Sequence, residues 1–144
     1  MFHMADISNP TKPFKICRFW TDLLFVEFFE QGDLERMHEQ KFPTISQFFD
    51  RKTTNIAKSQ IGYINFIKLP SYATIIKVFP NLSRNLEAME NNKAEWTKLF
   101  DEYETQLENG NDLSYVVEKY LPKVSTTKGV TSPPQILEKR KSKK

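Results

Sequence analysis

The sequence is poor in cysteine, glycine and histidine: it has one cysteine, Cys17, four glycines and two histidines in 144 residues. A single cysteine forms no internal disulfide, so we expect a reducing, intracellular compartment, most simply the cytoplasm. No run of about 18 apolar residues is present, which argues against a membrane-spanning helix. The first residues lack a basic segment followed by an apolar one, so a secretory signal peptide is not expected.

Positive charge is unevenly distributed and is concentrated at the end of the chain. Five of the 21 Lys and Arg residues lie within residues 139–144, and without them 16 basic residues stand against 18 acidic ones. We therefore expect residues 1–121 to form a folded domain with no nucleic-acid interface. Residues 122–144 are rich in Ser, Thr, Pro and Lys, which is typical of a disordered basic tail. Such a tail is usually only solvated, although nucleic-acid binding, anionic lipid binding or nuclear localisation is an open alternative.

Apolar residues recur every three or four positions, and no segment alternates as strands do, so an all-α fold is predicted. The first predicted helix begins at Phe14 and either ends at Gly32 or continues to Met37. Pro70 is expected to kink or interrupt the second helix, because a helical proline lacks a backbone donor. The remaining predicted helices cover residues 55–79 around that proline, 81–107 and 113–121.

Three groups of residues are candidates for chemistry. Asp6, in a loop before the first helix, could ligate a metal, although a lone Asp in a turn is more often a turn former. Gln60 and Tyr63 are three residues apart on the second helix and therefore share a face. An amide beside an aromatic ring can bind the edge and the face of a flat heterocycle, and Leu24 and Phe28 could press on the opposite face. An ordinary helix–helix contact is the simpler alternative for these four residues.

Four segments occur in an order that gives these candidates more weight. They are HMADISNPTK, FWTDLLFVEFFEQGDLE, FFDRK and KSQIGYINFIKLP, with NNKAEW following later. Together they closely resemble the C-terminal third of the catalytic domain of class I cyclic nucleotide phosphodiesterases, over about residues 3–100. The resemblance implies a partial helical bundle of that catalytic fold, which is similar to HD domains.

The resemblance also implies a role for individual residues. Asp6 lies at the position of the last metal-ligating carboxylate, and His3 at that of a supporting histidine. Gln60 matches the glutamine that binds the purine edge, and Tyr63 and Leu24 match the two jaws of a purine clamp. Phe28 stands beside Leu24, and Trp20 matches an aromatic residue near the mouth. The remaining positions that the resemblance implies as pocket lining are Asn9, Thr21 and Phe48.

The implied reaction is metal-assisted hydrolysis of cAMP or cGMP to a nucleoside 5′-monophosphate. Two divalent ions, zinc with magnesium or manganese, polarise the phosphate and activate a water, and a histidine protonates the leaving oxygen. The sequence has no H-N-x-x-H-A segment and no His-Asp pair, and its second histidine, His38, falls in an insertion. Asp6 is then the only metal ligand, and the partners expected are a cyclic nucleotide and the missing N-terminal helices of the same catalytic domain.

Two interpretations follow from the absence of these histidine motifs in the sequence. The chain is either the C-terminal part of a phosphodiesterase catalytic domain, inactive by itself, or a catalytically dead interaction module derived from that fold. Either way, we expect apolar helix faces that the missing helices would cover to be exposed, with poor solubility or self-association as the consequence. The residues expected on these faces are Phe25, Val26, Phe29, Ile64 and Ile75.

Overall fold

The computed structural model describes residues 5–37 and 48–121. Within these ranges all regular structure is helical, so the predicted all-α class is confirmed. The predicted tail, His3 and His38 lie outside the described residues. The helices are α1 (Phe14–Met37), α2 (Ile56–Tyr63), α3 (Leu69–Ile76), α4 (Ser83–Glu108) and α5 (Leu113–Tyr120), with a π-helical segment at Ile64–Lys68 and 3₁₀ turns at Asn9–Thr11 and Pro80–Leu82.

Helix α1 continues past Gly32 to Met37, so the glycine is an interior residue of the helix and does not end it. Gly32 is buried, and a Cβ atom built there would overlap the backbone carbonyl of Phe49. The glycine therefore serves close packing of two backbones rather than helix termination. This close approach holds the segment of residues 48–50 against the end of α1.

Of the two effects predicted for Pro70, a kink or an interruption, the interruption is not seen, but the helical hydrogen-bonding pattern changes directly before this proline. Helices α2 and α3 are joined without a break by the π-helical segment, in which the Leu69 amide donates to the carbonyl of Ile64, five residues earlier. A proline removes one donor from the ladder of helical hydrogen bonds. In a π-helical turn, each amide donates to the carbonyl five residues earlier. The hydrogen-bonding pattern therefore changes directly before Pro70, and the chain stays helical.

The core forms around α4, which contacts all four other helices. The 3₁₀ turn at Asn9–Thr11 also packs against α1 and α4, so the N-terminal loop is anchored between two helices. Buried apolar side chains from all five helices and the π-helical segment make up this core: Cys17, Phe25, Phe29, Ile56, Ala57, Ile64, Tyr72, Met89, Trp96, Leu99, Tyr103, Val116 and Val117. None of the helices in the two described ranges has the length and apolar content needed to cross a membrane.

The expectation that Phe25, Phe29 and Ile64 are exposed is wrong, since each is at most 2% exposed. The rings of Phe25 and Phe29 lie 5.6 Å apart, and the Arg51 guanidinium covers Phe29. Apolar residues spaced three and four positions apart occur on more than one side of this helix. The spacing alone therefore cannot show which side is buried. Val26 and Ile75 are half-buried, and the apolar residues of α1 that are exposed are Ile16, Phe19, Trp20, Leu24, Leu34 and Met37.

A glycine at positive φ returns the chain from α4 to α5. Gly110 has φ 86°, its amide donates to Leu107, and the amide of Asn111 donates to Gln106. This pair of hydrogen bonds is the Schellman arrangement at a helix end. Asp112 then caps α5 by accepting from the amide of Tyr115. The reversal brings the buried side of α5 back onto α4.

Candidate base-binding cavity

A cavity of about 930 Å³ lies among α1, α2, the π-helical segment and the N-terminal loop. Every candidate residue that the structure describes and that was assigned to the metal or the substrate lines it: Asp6, Asn9, Thr21, Leu24, Phe28, Phe48, Gln60 and Tyr63. Residues far apart in the sequence therefore meet at one hollow. Trp20 does not line the cavity and is exposed on α1.

Gln60 stands at the cavity wall with an unused amide. Its side chain is only 8% exposed, yet it has no hydrogen-bond partner among the described residues. The residue is placed there by α2, whose first turn is capped by Asn55 accepting from the amide of Lys58. This amide, which has no partner among the described residues, offers two donors and an acceptor to a ligand in the cavity. The arrangement fits recognition of a polar heterocycle edge.

Apolar side chains from α1 and an aromatic ring from α2 line the same cavity. Leu24 and Phe28 are one helical turn apart, and the Phe28 ring packs against Phe49, with centroids 4.8 Å apart. Phe28 also contacts Phe25 edge to face, with centroids 5.7 Å apart. These contacts fix one apolar wall, and Tyr63 of α2 provides an aromatic surface elsewhere on the cavity lining. Such a combination of apolar walls and a few polar groups is typical of small-molecule sites.

Asn9 has an amide whose orientation is fixed by α1. Its Nδ2 donates to the carbonyl oxygen of Cys17 at 3.0 Å and to Thr21 Oγ1 at 3.2 Å. Because a backbone carbonyl can only accept, the NH₂ group of Asn9 must face α1. The Oδ1 atom has no partner among the described residues, so Asn9 contributes an acceptor to the cavity. Thr21 acts by orienting this amide as well as by lining the wall.

Asn92 holds the N-terminal loop in place, and the sequence interpretation assigned it no role. Its Nδ2 donates to the carbonyls of Pro10 and Lys12, both at 2.7 Å, and the residue is 2% exposed. The signal was available, since Asn92 is a polar residue spaced three and four positions from the buried Met89 and Trp96. The side chain is thus used by the fold to position the loop that carries Asp6 and Asn9.

Asp6 lines the cavity without a cluster of other metal-ligating side chains among the described residues. It is exposed, and residues 5–37 and 48–121 contain no group of three or more His, Cys, Asp or Glu side chains that could hold an ion. Metal sites in proteins use three or four protein ligands in most cases. The described residues therefore do not fit a complete metal site, let alone a two-metal site.

Lys68 is a second residue that the sequence interpretation missed. The side chain is fully buried, and its Nζ has no hydrogen-bond partner among the described residues. The ammonium lies 5.7 Å from the Tyr63 ring centroid and 5.4 Å from that of Tyr72. Burial lowers the pKa of Lys68 to about 8, and burial likewise raises the pKa of the Tyr63 phenol, with a smaller contribution from Tyr72. The Lys68 ammonium, which lies next to the cavity-lining Tyr63, is thus stabilised mainly by the faces of these two aromatic rings.

Ion pairs tie the segment that follows the insertion to the rest of the fold. Arg36 at the end of α1 contacts Asp50 at 2.6 Å, and Arg51 contacts Asp33 at 2.5 Å. Arg51 also reaches Glu118 of α5 at 3.4 Å. These contacts join α1, the segment of residues 48–51 and α5. They place the exposed Phe48 at the rim of the cavity.

Comparisons with known proteins identify the family to which the chain is similar. The model of the family described as 3'5'-cyclic nucleotide phosphodiesterase matches residues 1–89. The chain is 39% identical over 97 residues to the 3',5'-cyclic-AMP phosphodiesterase 4C of Rattus norvegicus, covering 67% of this chain and 17% of that protein. It is 38% identical over 97 residues to the probable 3',5'-cyclic-AMP phosphodiesterase pde-4 of Caenorhabditis elegans, covering 67% of this chain and 14% of that protein.

A solved phosphodiesterase structure also matches this chain. The structure of LmjPDEB1 in complex with IBMX matches with a TM-score of 0.59 and 33% sequence identity, over 67% of this chain and 28% of that one. The chain thus spans less than a fifth of the length of these curated relatives and little more than a quarter of the solved chain. With its sequence, helical fold and structural neighbour in agreement, the chain belongs to the 3'5'-cyclic nucleotide phosphodiesterase family.

Proposed function

We propose that this chain forms the base-binding end of a catalytic site that hydrolyses a 3′,5′-cyclic nucleotide to the 5′-monophosphate. The observation that carries the proposal is the amide of Gln60, a residue only 8% exposed, which has no partner among the described residues and lies on a cavity that Tyr63, Leu24 and Phe28 also line. In this proposal Gln60 binds the purine edge, and the three other residues hold its faces. Asn9, Thr21 and Phe48 complete the lining, and the compartment is cytoplasmic, which suits the free, buried Cys17.

Adenine is the base that the Asn9 geometry favours, so the proposed substrate is cAMP rather than cGMP. The NH₂ group of Asn9 is committed to α1, and its Oδ1 remains as an acceptor. An acceptor suits the exocyclic amino group of adenine, whereas guanine presents a carbonyl oxygen at the equivalent position. Two relatives are named cyclic-AMP phosphodiesterases, which is consistent with this choice.

The proposal leaves the metal end to be completed by other residues. Asp6 is proposed as one ligand of a pair of divalent ions, zinc with magnesium or manganese, and His3 as its support. Since the described residues do not fit a complete metal site, the other ligands are proposed to come from the N-terminal helices of a phosphodiesterase catalytic domain. When bound, such ions would activate water and polarise the phosphate.

A chimera tests this proposal. The matched 97-residue segment of the rat 4C enzyme is replaced by its counterpart from this chain, and hydrolysis of cAMP and cGMP is measured with zinc and magnesium. We expect metal-dependent hydrolysis of cAMP in preference to cGMP. Gln60→Ala should raise KM at least tenfold, while Asp6→Asn should lower kcat. Gln31→Ala is the matched control, because that exposed amide contacts only Glu35.

Two outcomes would contradict the proposal. A folded chimera that hydrolyses no cyclic nucleotide would show that this segment does not supply a working base site. Equal kinetics for the Gln60 and Gln31 variants would show that the Gln60 amide does not bind the base. The proposed preference for adenine, which rests on Asn9, is contradicted separately if the chimera prefers cGMP.

A catalytically dead interaction module is the second candidate. It is favoured by one observation, the absence among the described residues of further metal ligands near Asp6. Under this alternative, the chain keeps the fold and binds a partner without turnover. The purified chain with added zinc and magnesium separates it from an active enzyme, since clear metal-dependent hydrolysis by the chain alone would exclude it.

A further inference from the structure

The π-helical segment and the buried Lys68 are two unusual features of one short stretch of the chain. The segment covers Ile64–Lys68 and lies between Tyr63, the last residue of α2, and Leu69, the first residue of α3. π-Helical turns are rare and frequently occur at functional sites. Lys68 is the last residue of this turn, and its ammonium is fully buried without a hydrogen-bond partner among the described residues. One placement accounts for both features.

The π-helical turn brings Lys68 to the same side of the helix as Tyr63. In a regular α-helix, two residues that are five positions apart point about 140° away from each other, and Tyr63 and Lys68 have this separation. The π-helical turn between them is wider, with the Leu69 amide donating to the carbonyl of Ile64, five residues earlier. The Lys68 side chain therefore returns towards Tyr63, and its Nζ lies 5.7 Å from the ring centroid.

The Lys68 ammonium reaches the Tyr63 ring from the interior of the protein. Tyr63 lines the cavity, whereas Lys68 is fully buried and does not line it. The same ammonium lies 5.4 Å from the ring centroid of Tyr72, which is buried on α3. One cation thus links the ring that lines the cavity to a ring of the core.

A cation over an aromatic ring changes how that ring stacks on a ligand. The positive charge draws the π-electron density of the ring towards itself. The opposite face of the ring becomes less negative, which reduces its repulsion with the π-face of a stacked heterocycle. The cation–π contact also limits the rotation of the ring, so less conformational entropy is lost when a ligand binds.

The stability of the fold does not explain a lysine at this position. A buried charge without an ion-pair partner loses its hydration, and contacts with aromatic faces recover only part of that loss. The lowered pKa of Lys68 has the same physical cause, which is burial. An apolar side chain of similar length would fill the same space without this cost. The ammonium is therefore better explained by its effect on Tyr63.

We propose that Lys68 is a positioning residue of the base-binding cavity and acts through Tyr63. The π-helical segment places the ammonium over the inner side of the Tyr63 ring, and the ammonium fixes and polarises this ring for stacking on a flat heterocycle such as adenine. This inference rests on the proposed function and adds to it a residue that does not line the cavity.

The test uses the full 144-residue chain with adenosine as the probe, because adenosine carries the base without a phosphate. NMR spectra of the chain, labelled at its amides and tyrosine rings, give the Kd of adenosine and the ring signals of Tyr63. We expect Lys68→Met to shift these ring signals and to raise the Kd about fivefold. Lys68→Arg keeps a cation that stacks on aromatic rings, so it should restore most of the affinity. Lys77→Met is the matched control, because Lys77 is exposed and lies outside the cavity.

A double-mutant cycle shows whether Lys68 acts through Tyr63. Tyr63→Leu should itself weaken the binding of adenosine, and it also identifies the Tyr63 signals by their disappearance. In the Tyr63→Leu background, Lys68→Met should have no further effect on the Kd, because the ring on which the ammonium acts is gone. Urea denaturation verifies that each variant is folded under the conditions of the titration.

Four results would overturn the proposal. They are an unchanged Kd in Lys68→Met, equal weakening by Lys77→Met, a folded Lys68→Arg variant that binds as weakly as Lys68→Met, and an undiminished effect of Lys68→Met in the Tyr63→Leu background. A different result separates the proposed function from this inference. If Lys68→Met shifts the Tyr63 ring signals but the wild-type chain binds no adenosine, the placement of the ring by Lys68 is supported and only the proposed function is contradicted.

Discussion

The proposed function divides the cavity into a base end, formed around Gln60 and Tyr63, and a metal end, the loop that carries Asp6, and these two regions use polar side chains in opposite ways. At the base end, the Gln60 amide has no partner among the described residues, although it is only 8% exposed. In the N-terminal loop that carries Asp6, the amides are engaged: Asn92 holds the loop to α4, and the NH₂ group of Asn9 holds it to α1. Asp6 itself is left exposed.

This difference separates residues that serve stability from residues that serve a ligand. An engaged buried amide contributes to the free energy of unfolding, whereas an amide that reaches the cavity without a partner contributes little to it and is available to a ligand. Under the proposed function, the fold holds the Gln60 amide ready for a base, whereas near Asp6 it fixes only the backbone of the loop. The following substitutions measure how far this contrast holds.

The largest effect is expected from a matched pair of amide substitutions. Asn92→Leu removes two buried hydrogen bonds and leaves the carbonyls of Pro10 and Lys12 unpaired, so it should lower the free energy of unfolding by about 2 to 4 kcal/mol. Gln60→Leu removes no protein hydrogen bond and should change it by less than about 1 kcal/mol. Urea denaturation of both variants measures the difference. Equal losses would mean that the two ends do not differ in this way.

Lys68 offers a test behind the base end. Its folded-state pKa of about 8 is below the ordinary 10.5, so the unfolded state holds the proton more tightly. Stability should rise as the pH increases from about 8 to about 10.5, since the cost of the buried charge is present at lower pH and disappears above that range. Lys68→Met should stabilise the chain at pH 7 by up to about 3 kcal/mol.

The difference between wild type and Lys68→Met isolates this residue from other groups that titrate in alkaline solution. Thermal or urea unfolding at pH 7, 9 and 10 gives that difference directly. A gap that stays constant over this pH range would show that Lys68 does not titrate there. Destabilisation by the methionine would show that the contacts with Tyr63 and Tyr72 outweigh the cost of burial.

Gly32 tests how the rim of the base end is held. Gly32→Ala places a Cβ atom against the carbonyl of Phe49, so the segment bearing Phe48 must move. We expect a loss of about 1 to 3 kcal/mol, the range typical of overpacking. Gly62→Ala is the control, because no atom lies within 4 Å of its built Cβ. If the alanine at position 62 destabilises the chain more than that at position 32, the close approach is not what Gly32 provides.

The smallest effect is expected at Thr21. Thr21→Val removes one hydrogen bond from Asn9 but keeps the shape of the side chain, so it should cost about 1 kcal/mol. The bond to the Cys17 carbonyl remains and keeps the Asn9 NH₂ group against α1, which leaves Oδ1 as the acceptor. In the chimera, the preference for cAMP should therefore survive this substitution. Its loss would show that the hydroxyl, rather than the carbonyl, sets the orientation of the amide.

Much of the fold and of the cavity lining could be predicted from the sequence. Helical spacing placed Gln60 with Tyr63 and Leu24 with Phe28, and the structure brings both pairs to one cavity. Their roles as ligands for a base remain predictions. The resemblance contributed Asp6 and Asn9, which spacing alone would have left as turn residues.

Other features depend on tertiary contacts that the sequence does not show. The π-helical segment changes the helical period just before Pro70, so a period of 3.6 residues could not show that Lys68 is buried. Phe25 and Phe19 have equivalent helical signals, and only packing against the other helices decides which of them is covered. The role of Asn92 depends on a contact with residues about 80 positions earlier.

The most direct test of the central claim is a crystal structure of the chimera with adenosine 5′-monophosphate. The account predicts the adenine between Tyr63 and the apolar wall of Leu24 and Phe28, with the Gln60 amide about 3 Å from the purine edge. A nucleotide bound with its base outside this cavity, or a Gln60 side chain turned away from the base, would contradict it.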